Sequence, residues 1–289
     1  MRGFRVFLLA LAAILLAWTP GFAAPPFWVM KDEDTTIYLF GTMHVLQPEA
    51  EWRTPAFNAA YESAQEVWFE TDIDLSEEEM VPLMLRYGLD FERPLKSKVT
   101  PKTWAAIEKA LEGSELTPDI INAMRPWTAA MMLSVMPMMD AGFESDAGAD
   151  STLEREASSA GKTVFIFETP EQQLRFFADL PEKVEIQYLE DTVEGLDMTS
   201  DDSEAMQKAW IDGDVDALGP LILEDMQKER PELYQSLIRG RNYAWVEILD
   251  ERMTRPGIVM VNVGALHMVG PDGLPDQLKA RGFKVERVQ

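Results

Sequence analysis

Histidine occurs twice in this chain, at His44 and His267, and each follows a glycine by three residues at the end of an apolar run. The two segments read Tyr38-Leu39-Phe40-Gly41-Thr42-Met43-His44 and Val261-Asn262-Val263-Gly264-Ala265-Leu266-His267. Imidazole titrates near neutral pH and ligates metals, so the pair suits either proton transfer or metal binding. Two further apolar runs end on carboxylates, Val67-Trp68-Phe69 into Glu70 and Phe165-Ile166-Phe167 into Glu168. Either glutamate is placed to complete a metal site or to act as general base. Glu168 has a plainer reading as well, because Glu168-Thr169 opens a helix, where the dipole favours a carboxylate whatever its chemistry.

Cationic and polar candidates are fewer. Arg125, in Met124-Arg125-Pro126-Trp127, and Arg241-Asn242, which interrupts the apolar face of a long helix, could each hold a substrate carboxylate or stabilise an oxyanion. Pairing with some of the 50 acidic residues is the competing role for Arg241. Asp150, after Gly148-Ala149, is a site candidate or a cap for the helix that contains Leu153. Cysteine is absent, which removes thiolate catalysis, cysteine metal sites and disulfides. There is no G-x-S-x-G elbow, Walker loop, H-E-x-x-H or dinucleotide-binding glycine pattern.

These side chains need a scaffold that brings them together. Thr35–Phe40, Glu66–Phe69, Thr163–Phe167 and Gly257–Val263 have the length and apolar content of buried strands. Phe283–Val288 alternates like an edge strand. Between them lie helices opened by Thr54-Pro55, by Thr100-Pro101 and by the capping boxes Ser76/Glu79 and Thr169/Gln172. Residues 76–160 are mainly helical, and a long helix begins near Pro231. Pro126 and Pro137 interrupt a methionine-rich helical stretch, Met124 to Met139, whose main reading is adaptable core filling and whose second is a groove for apolar ligands. The pattern is α/β: a central, mostly parallel sheet flanked by helices, with two pseudo-symmetric G-x-x-H halves and a helical insertion. In such sheets ligands bind beyond the carboxyl ends of the strands, so parallel neighbours would deliver both histidines and both glutamates to one crevice.

The beginning of the chain has a different purpose. Arg2 and Arg5 precede an unbroken apolar run from Val6 to Trp18, and Gly21-Phe22-Ala23 supplies small residues for cleavage. Residues 1–23 therefore read as a secretory signal, and 24–289 as a single α/β domain. The run falls short of the ~20 residues a spanning helix needs, so no stable membrane insertion is expected after cleavage. The mature protein is expected in the periplasm or outside the cell. With a net charge of −24 its surface repels nucleic acid and anionic lipid, which leaves peptides or small molecules as partners.

Taken in order, the segments resemble the TraB/GumN family, which shares its fold with the Wnt-cleaving TIKI proteases and resembles the erythromycin esterase-like group. The resemblance runs from Gly41-Thr42-Met43-His44 and Phe69-Glu70-Thr71-Asp72 through Arg125-Pro126-Trp127, Gly148-Ala149-Asp150 and Glu168-Thr169-Pro170-Glu171-Gln172. It continues with Ala209-Trp210-Ile211-Asp212-Gly213-Asp214, Arg241-Asn242 and Gly264-Ala265-Leu266-His267. Thr71 and Asn262 depart from the usual pattern, and Asn262 adds a polar group near the site. TIKI proteins are divalent-metal-dependent proteases in which both G-x-x-H motifs and a glutamate matter. The resemblance thus implies a metal ion (manganese, cobalt or zinc) on His44, His267 and Glu70, in an exported peptidase-like hydrolase. On that reading Glu70 or Glu168 takes the proton from metal-activated water and Arg125 stabilises the developing charge. Two alternatives stand beside it. One is a non-catalytic metal- or haem-binding protein; the other is a metal-free, esterase-like hydrolase with a histidine as general base.

Overall fold

A computed structural model describes residues 24–72, 75–196, 200–214, 219 and 223–288; the signal read at 1–23 lies outside the described residues. The β-branched and aromatic runs form six strands: β1 (Phe27–Lys31), β2 (Thr35–Thr42), β3 (Glu66–Phe69), β4 (Thr163–Ile166), β5 (Gly257–Gly264) and β6 (Val285–Arg287). They make one sheet in the order β4-β3-β5-β2-β1-β6. Strands β4, β3, β5 and β2 are parallel neighbours, while β1 runs antiparallel to both β2 and β6. Strand β1 has no counterpart in the sequence reading, and β6 closes one edge as its alternation predicts.

The two faces of the sheet have separate cores. On the first, Phe40, Phe69 and Met260 pack with Phe57 and Tyr61 of the helix Pro55–Ser63 and with Leu153 of the helix Ala149–Ser159. On the second, Leu39, Trp68, Val261 and Val263 meet Trp245 and Leu249 of the helix Gly240–Arg252, and Leu278 of the helix Leu274–Ala280. Leu39, Val261, Leu249 and Leu278 are fully shielded from solvent, each worth roughly 1.5–3 kcal/mol relative to exposure. Covering both faces explains why β5 is apolar at nearly every position instead of alternating.

Register decides where the two histidine turns go. Thr42 pairs with Gly264 and Gly41 with Val263, so the two motif glycines are offset by one residue. Side chains alternate with a period of two along a strand, and this offset aims Gly41 at the second face and Gly264 at the first. The halves are alike in sequence but emerge on opposite sides of the sheet edge.

The helical insertion between β3 and β4 builds a third core, in which Leu95, Trp104, Ile107 and Leu133 pack with Leu189 of the helix Glu182–Glu194. Pro126 opens the helix Pro126–Asp140 and does not interrupt it, because a first-turn proline sacrifices no helical hydrogen bond. The methionines of this stretch divide: Met124, just before the helix, and Met138 are buried, whereas Met132 and Met139 are exposed and Met131 borders the crevice beyond the strand ends.

Candidate active site

The carboxyl ends of β2, β3 and β5 border a crevice of about 540 Å³, to which the helix Pro170–Ala178 after β4 adds Gln173, Phe176 and Phe177. His44 stands at its mouth with 63% of its side chain exposed. Its Nδ1 lies 2.6 Å from Oδ2 of Asp150, in the first turn of the helix Ala149–Ser159. That helix can come so close because residue 148 is glycine: a Cβ there would lie 2.2 Å from the His44 carbonyl oxygen. The Asp150 carboxylate raises the imidazole to about 9, against the opposing effect of burial, and leaves Nε2 as the nitrogen available to the crevice.

His267 is held differently. It lies in the 3₁₀ turn Ala265–Met268 after β5, only 5% exposed, with its ring 4.6 Å from that of Trp245. Its Nδ1–H donates to Oδ1 of Asn242 at 2.6 Å. The amide orientation follows from the other end of Asn242, where Nδ2 donates to the carbonyls of Asp272 (2.7 Å) and His267 (3.3 Å). Nε2 accepts from Arg241 at 3.1 Å, which fixes the neutral tautomer with its proton on Nδ1. Burial, reinforced by the Arg241 charge, lowers this imidazole to about 3.

Arg241 joins the two carboxylates between these rings. It reaches Glu70 Oε2 at 2.5 Å and Glu168 Oε2 at 2.8 Å, while its guanidinium carbon sits 4.7 Å from the Trp245 ring centre. Burial alone would push Glu70 up; the Arg241 charge and the Gly264 N–H, 2.6 Å from Oε1, instead hold it well below the usual carboxylate range. Glu168 is shifted upward, because burial outweighs what Arg241 returns. Gln173 donates to both glutamates, at 3.3 and 3.4 Å, and Trp245 Nε1 donates to Glu168 Oε1 at 2.9 Å.

The structure therefore gathers His44, Asp150, Glu70, Glu168, Arg241, Asn242 and His267 at one sheet edge. Arg125 is elsewhere: its guanidinium bonds Glu185 and the carbonyls of Tyr87 and Ala178, tying the insertion to the helices that follow β4. Two contributors, Trp245 and Gln173, are absent from the sequence candidates, and a third, Trp210, figures there only within a segment of the family resemblance. Trp245 is one turn after Arg241 on the same helix, a spacing that signals a shared face. Gln173 directly follows the capping glutamine, Gln172. Trp210, in the Ala209–Asp214 segment, donates to the Gly41 carbonyl at 2.8 Å and pins the turn that carries His44.

A metal ion does not fit this donor set as arranged. Glu70 and Glu168 are bonded to Arg241, and the His267 Nε2 lone pair accepts from the same guanidinium. Among the described residues no group of three or more His, Cys, Asp or Glu side chains is arranged to hold a metal. The cation that neutralises the cluster is Arg241 itself, and a divalent ion would have to displace it against charge repulsion.

A family description, TraB/PrgY/gumN family, matches residues 26–287. This chain belongs to that family. It is similar to the "Uncharacterized protein YbaP" of Escherichia coli (strain K12) and to the protein of the same name from Shigella flexneri. Each is 24% identical over 185 residues, which are 64% of this chain and 68% of the relative. No solved structure matches.

Proposed function

We propose that this protein is a hydrolase in which His44, oriented by Asp150, moves the proton of an attacking water. One observation carries the reading: the 2.6 Å contact between Nδ1 and Asp150 leaves Nε2 turned into the crevice beside Glu70. A Cβ on Gly264 would lie 3.2 Å from Glu70 Oε1 and 3.5 Å from His44 Nε2, so the missing side chain keeps open the space these atoms share. The attacking water is placed on the crevice side of Gly264, between Nε2 and Glu70 Oε1. Its proton passes to Nε2 as its oxygen adds to an ester or peptide carbonyl. The imidazolium, stabilised by Asp150, then returns the proton to the leaving oxygen or nitrogen as the C–O or C–N bond breaks. His267 serves by position, keeping Arg241 on Glu70 and Glu168.

This is the metal-free, histidine-base alternative among the readings of the sequence, and the commitment of the other donors to Arg241 favours it over the metal-dependent one. Export through the leader at 1–23 would place the activity in the periplasm or outside the cell. No helix among the described residues is long and apolar enough to cross a membrane. The test is hydrolysis of an ester and peptide panel by the purified protein and its His44→Gln variant, with and without EDTA, beside elemental analysis of both. Activity that survives chelation and is lost in the variant is expected. Chelator-sensitive activity restored by zinc, manganese or cobalt would return the metalloprotease. No hydrolysis together with a Soret band on haem addition would return a binding protein.

A further inference from the structure

The helix Pro126–Asp140 is rich in apolar residues all round, yet only part of it is buried. Ala129, Ala130 and Leu133 are fully shielded and pack with Leu189 in the core of the insertion. On the other side of the helix Met131, Met132, Val135 and Met139 are 38%, 41%, 39% and 47% exposed. Single exposed hydrophobic residues are ordinary, but four on adjacent turns make a strip of the kind that marks a binding surface. Helical steps of four residues set Trp127, Met131, Val135 and Met139 in one row. The first end of that row belongs to the crevice. The Trp127 ring stacks on Phe177 with centres 5.4 Å apart, and Met131 is part of the crevice wall with Phe176, Phe177 and Leu237. The strip thus continues the apolar wall of the crevice along the helix.

Its chemistry selects the occupant. The four exposed side chains carry no N–H, O–H or carbonyl group, and a helix bonds its backbone groups within itself. An extended peptide laid there would bring an N–H and a C=O per residue and gain no hydrogen bond from the strip. An alkyl chain brings neither, and gains with every methylene removed from water. Three of the four side chains are methionines, flexible and polarizable enough to follow a chain of no fixed shape. A second copy of this protein is disfavoured by charge, since each chain carries −24.

We infer that the strip holds the alkyl tail of a long-chain acyl substrate whose carbonyl lies at His44. The place of the carbonyl rests on the hydrolase reading; the place of the tail does not. From Met131 to Met139 the helix rises about 12 Å at 1.5 Å per residue. Three bonds of an extended chain span ~3.6 Å, so the strip takes roughly ten carbons beyond those inside the crevice.

The probes are uncharged amides, the hexanoyl, decanoyl and tetradecanoyl N-methylglucamides, kept below their micelle concentrations in equilibrium dialysis against the intact protein. Affinity is expected to rise at least about twofold for each added methylene, through to the tetradecanoyl chain. In Val135→Glu and Met139→Glu the gain from the longer chains should be lost, with the hexanoyl affinity unchanged. Both side chains are already exposed, so circular dichroism and unfolding midpoints should match the parent's. Affinity independent of chain length in the parent, or a rise undiminished in both variants, would overturn the inference. A sedimentation mass of two chains that falls to one in Val135→Glu would put a second copy on the strip, and flotation of the parent but not this variant with phosphatidylcholine vesicles would put a membrane there; either overturns the tail. The matching p-nitrophenyl esters separate the two ideas. Chain-dependent binding without ester hydrolysis retains the strip and removes the hydrolase, whereas hydrolysis with no chain-length dependence of binding removes the strip alone.

Discussion

His44 and His267 each follow a strand and a glycine by three residues, and each places Nδ1 2.6 Å from a side-chain oxygen. At His44 the oxygen belongs to a carboxylate and the ring stands open to solvent; at His267 it belongs to an amide and the ring is enclosed by Trp245 and Arg241. One imidazole is raised to about 9 and the other lowered to about 3. The motif supplies a ring at the edge of the sheet, but the helix that covers each face decides its charge. The helix Ala149–Ser159 brings Asp150 to the first face, and the helix Gly240–Arg252 brings Asn242 and a permanent cation to the second. A repeated sequence signature has been divided into one group that exchanges protons and one that supports a buried ion cluster.

The strongest way to break this division is to remove each ring. His44→Ala is expected to lower kcat/KM by about 10³-fold with only a small loss of stability, because the side chain is largely exposed, its pairing with Asp150 is screened by solvent, and it acts in proton transfer. His267→Ala should show itself chiefly in stability, losing about 2–3 kcal/mol through a cavity beside Trp245 and an unpaired Asn242 oxygen. Kinetics and urea titration of both variants check this. The reverse pattern, a stable and inactive His267→Ala beside an active His44→Ala, would exchange the two roles.

The buried half can be strained further at its cation. Arg241→Gln leaves Glu70 and Glu168 together without their counter-ion, and a loss of about 3 kcal/mol is expected from breaking a buried ion cluster. Adding Glu168→Gln should recover part of that loss by removing one of the stranded charges. A double variant no more stable than Arg241→Gln would mean that the guanidinium acts through packing on Trp245 rather than through charge.

In the open half the sensitive group is Asp150. A general base works deprotonated, so activity should climb with pH toward the raised value near 9. Asp150→Asn removes the main cause of that elevation, moving the rising limb down toward 6.5 or below, with a rate loss of about 10²-fold from the weaker, less oriented base. A pH profile that does not move would detach Asp150 from the proton transfer.

Much of this arrangement was legible because strand ends and turn glycines leave clear marks in sequence. His44, Glu70, Glu168 and His267 each terminate an apolar run, and their meeting followed from the parallel-sheet rule. Asp150, Arg241 and Asn242 were visible as polar interruptions near helices, though without their partners. The opposite characters of the two histidines were not legible, since they depend on the one-residue register offset between β2 and β5. Arg125 was misplaced because residue order says nothing of where a helix-cap side chain points. Strand β1 was missed because Phe27–Lys31 is short and follows Pro25-Pro26 directly after the leader reading. The family relationship shares this limit: it identifies the motifs, and only the packing separates their roles.

The gentlest test of the comparison is the pH dependence of stability, where the two rings pull in opposite directions. His267 has a folded pKa near 3 against about 6.5 in the unfolded chain. Its neutral form is accommodated above pH 6.5, and stability is lost as pH falls below that value, because the unfolded state takes up a proton the folded state refuses. The slope from this one group is at most about 1.4 kcal/mol per pH unit. His44 has the opposite sign: its folded pKa near 9 gives stability that is complete below 6.5 and fades as pH rises through 9. Solvent screening of the exposed ring makes that alkaline limb the shallower one. With only two histidines in the chain, the window from pH 5 to 6.5 lies above most carboxylate titration and reports mainly on His267. Urea midpoints across it should fall with acidification in the parent and flatten in His267→Gln, whereas His44→Gln should retain the acid slope. An acid slope that disappears with His44 instead would mean that the charged ring lies on the other side of the sheet.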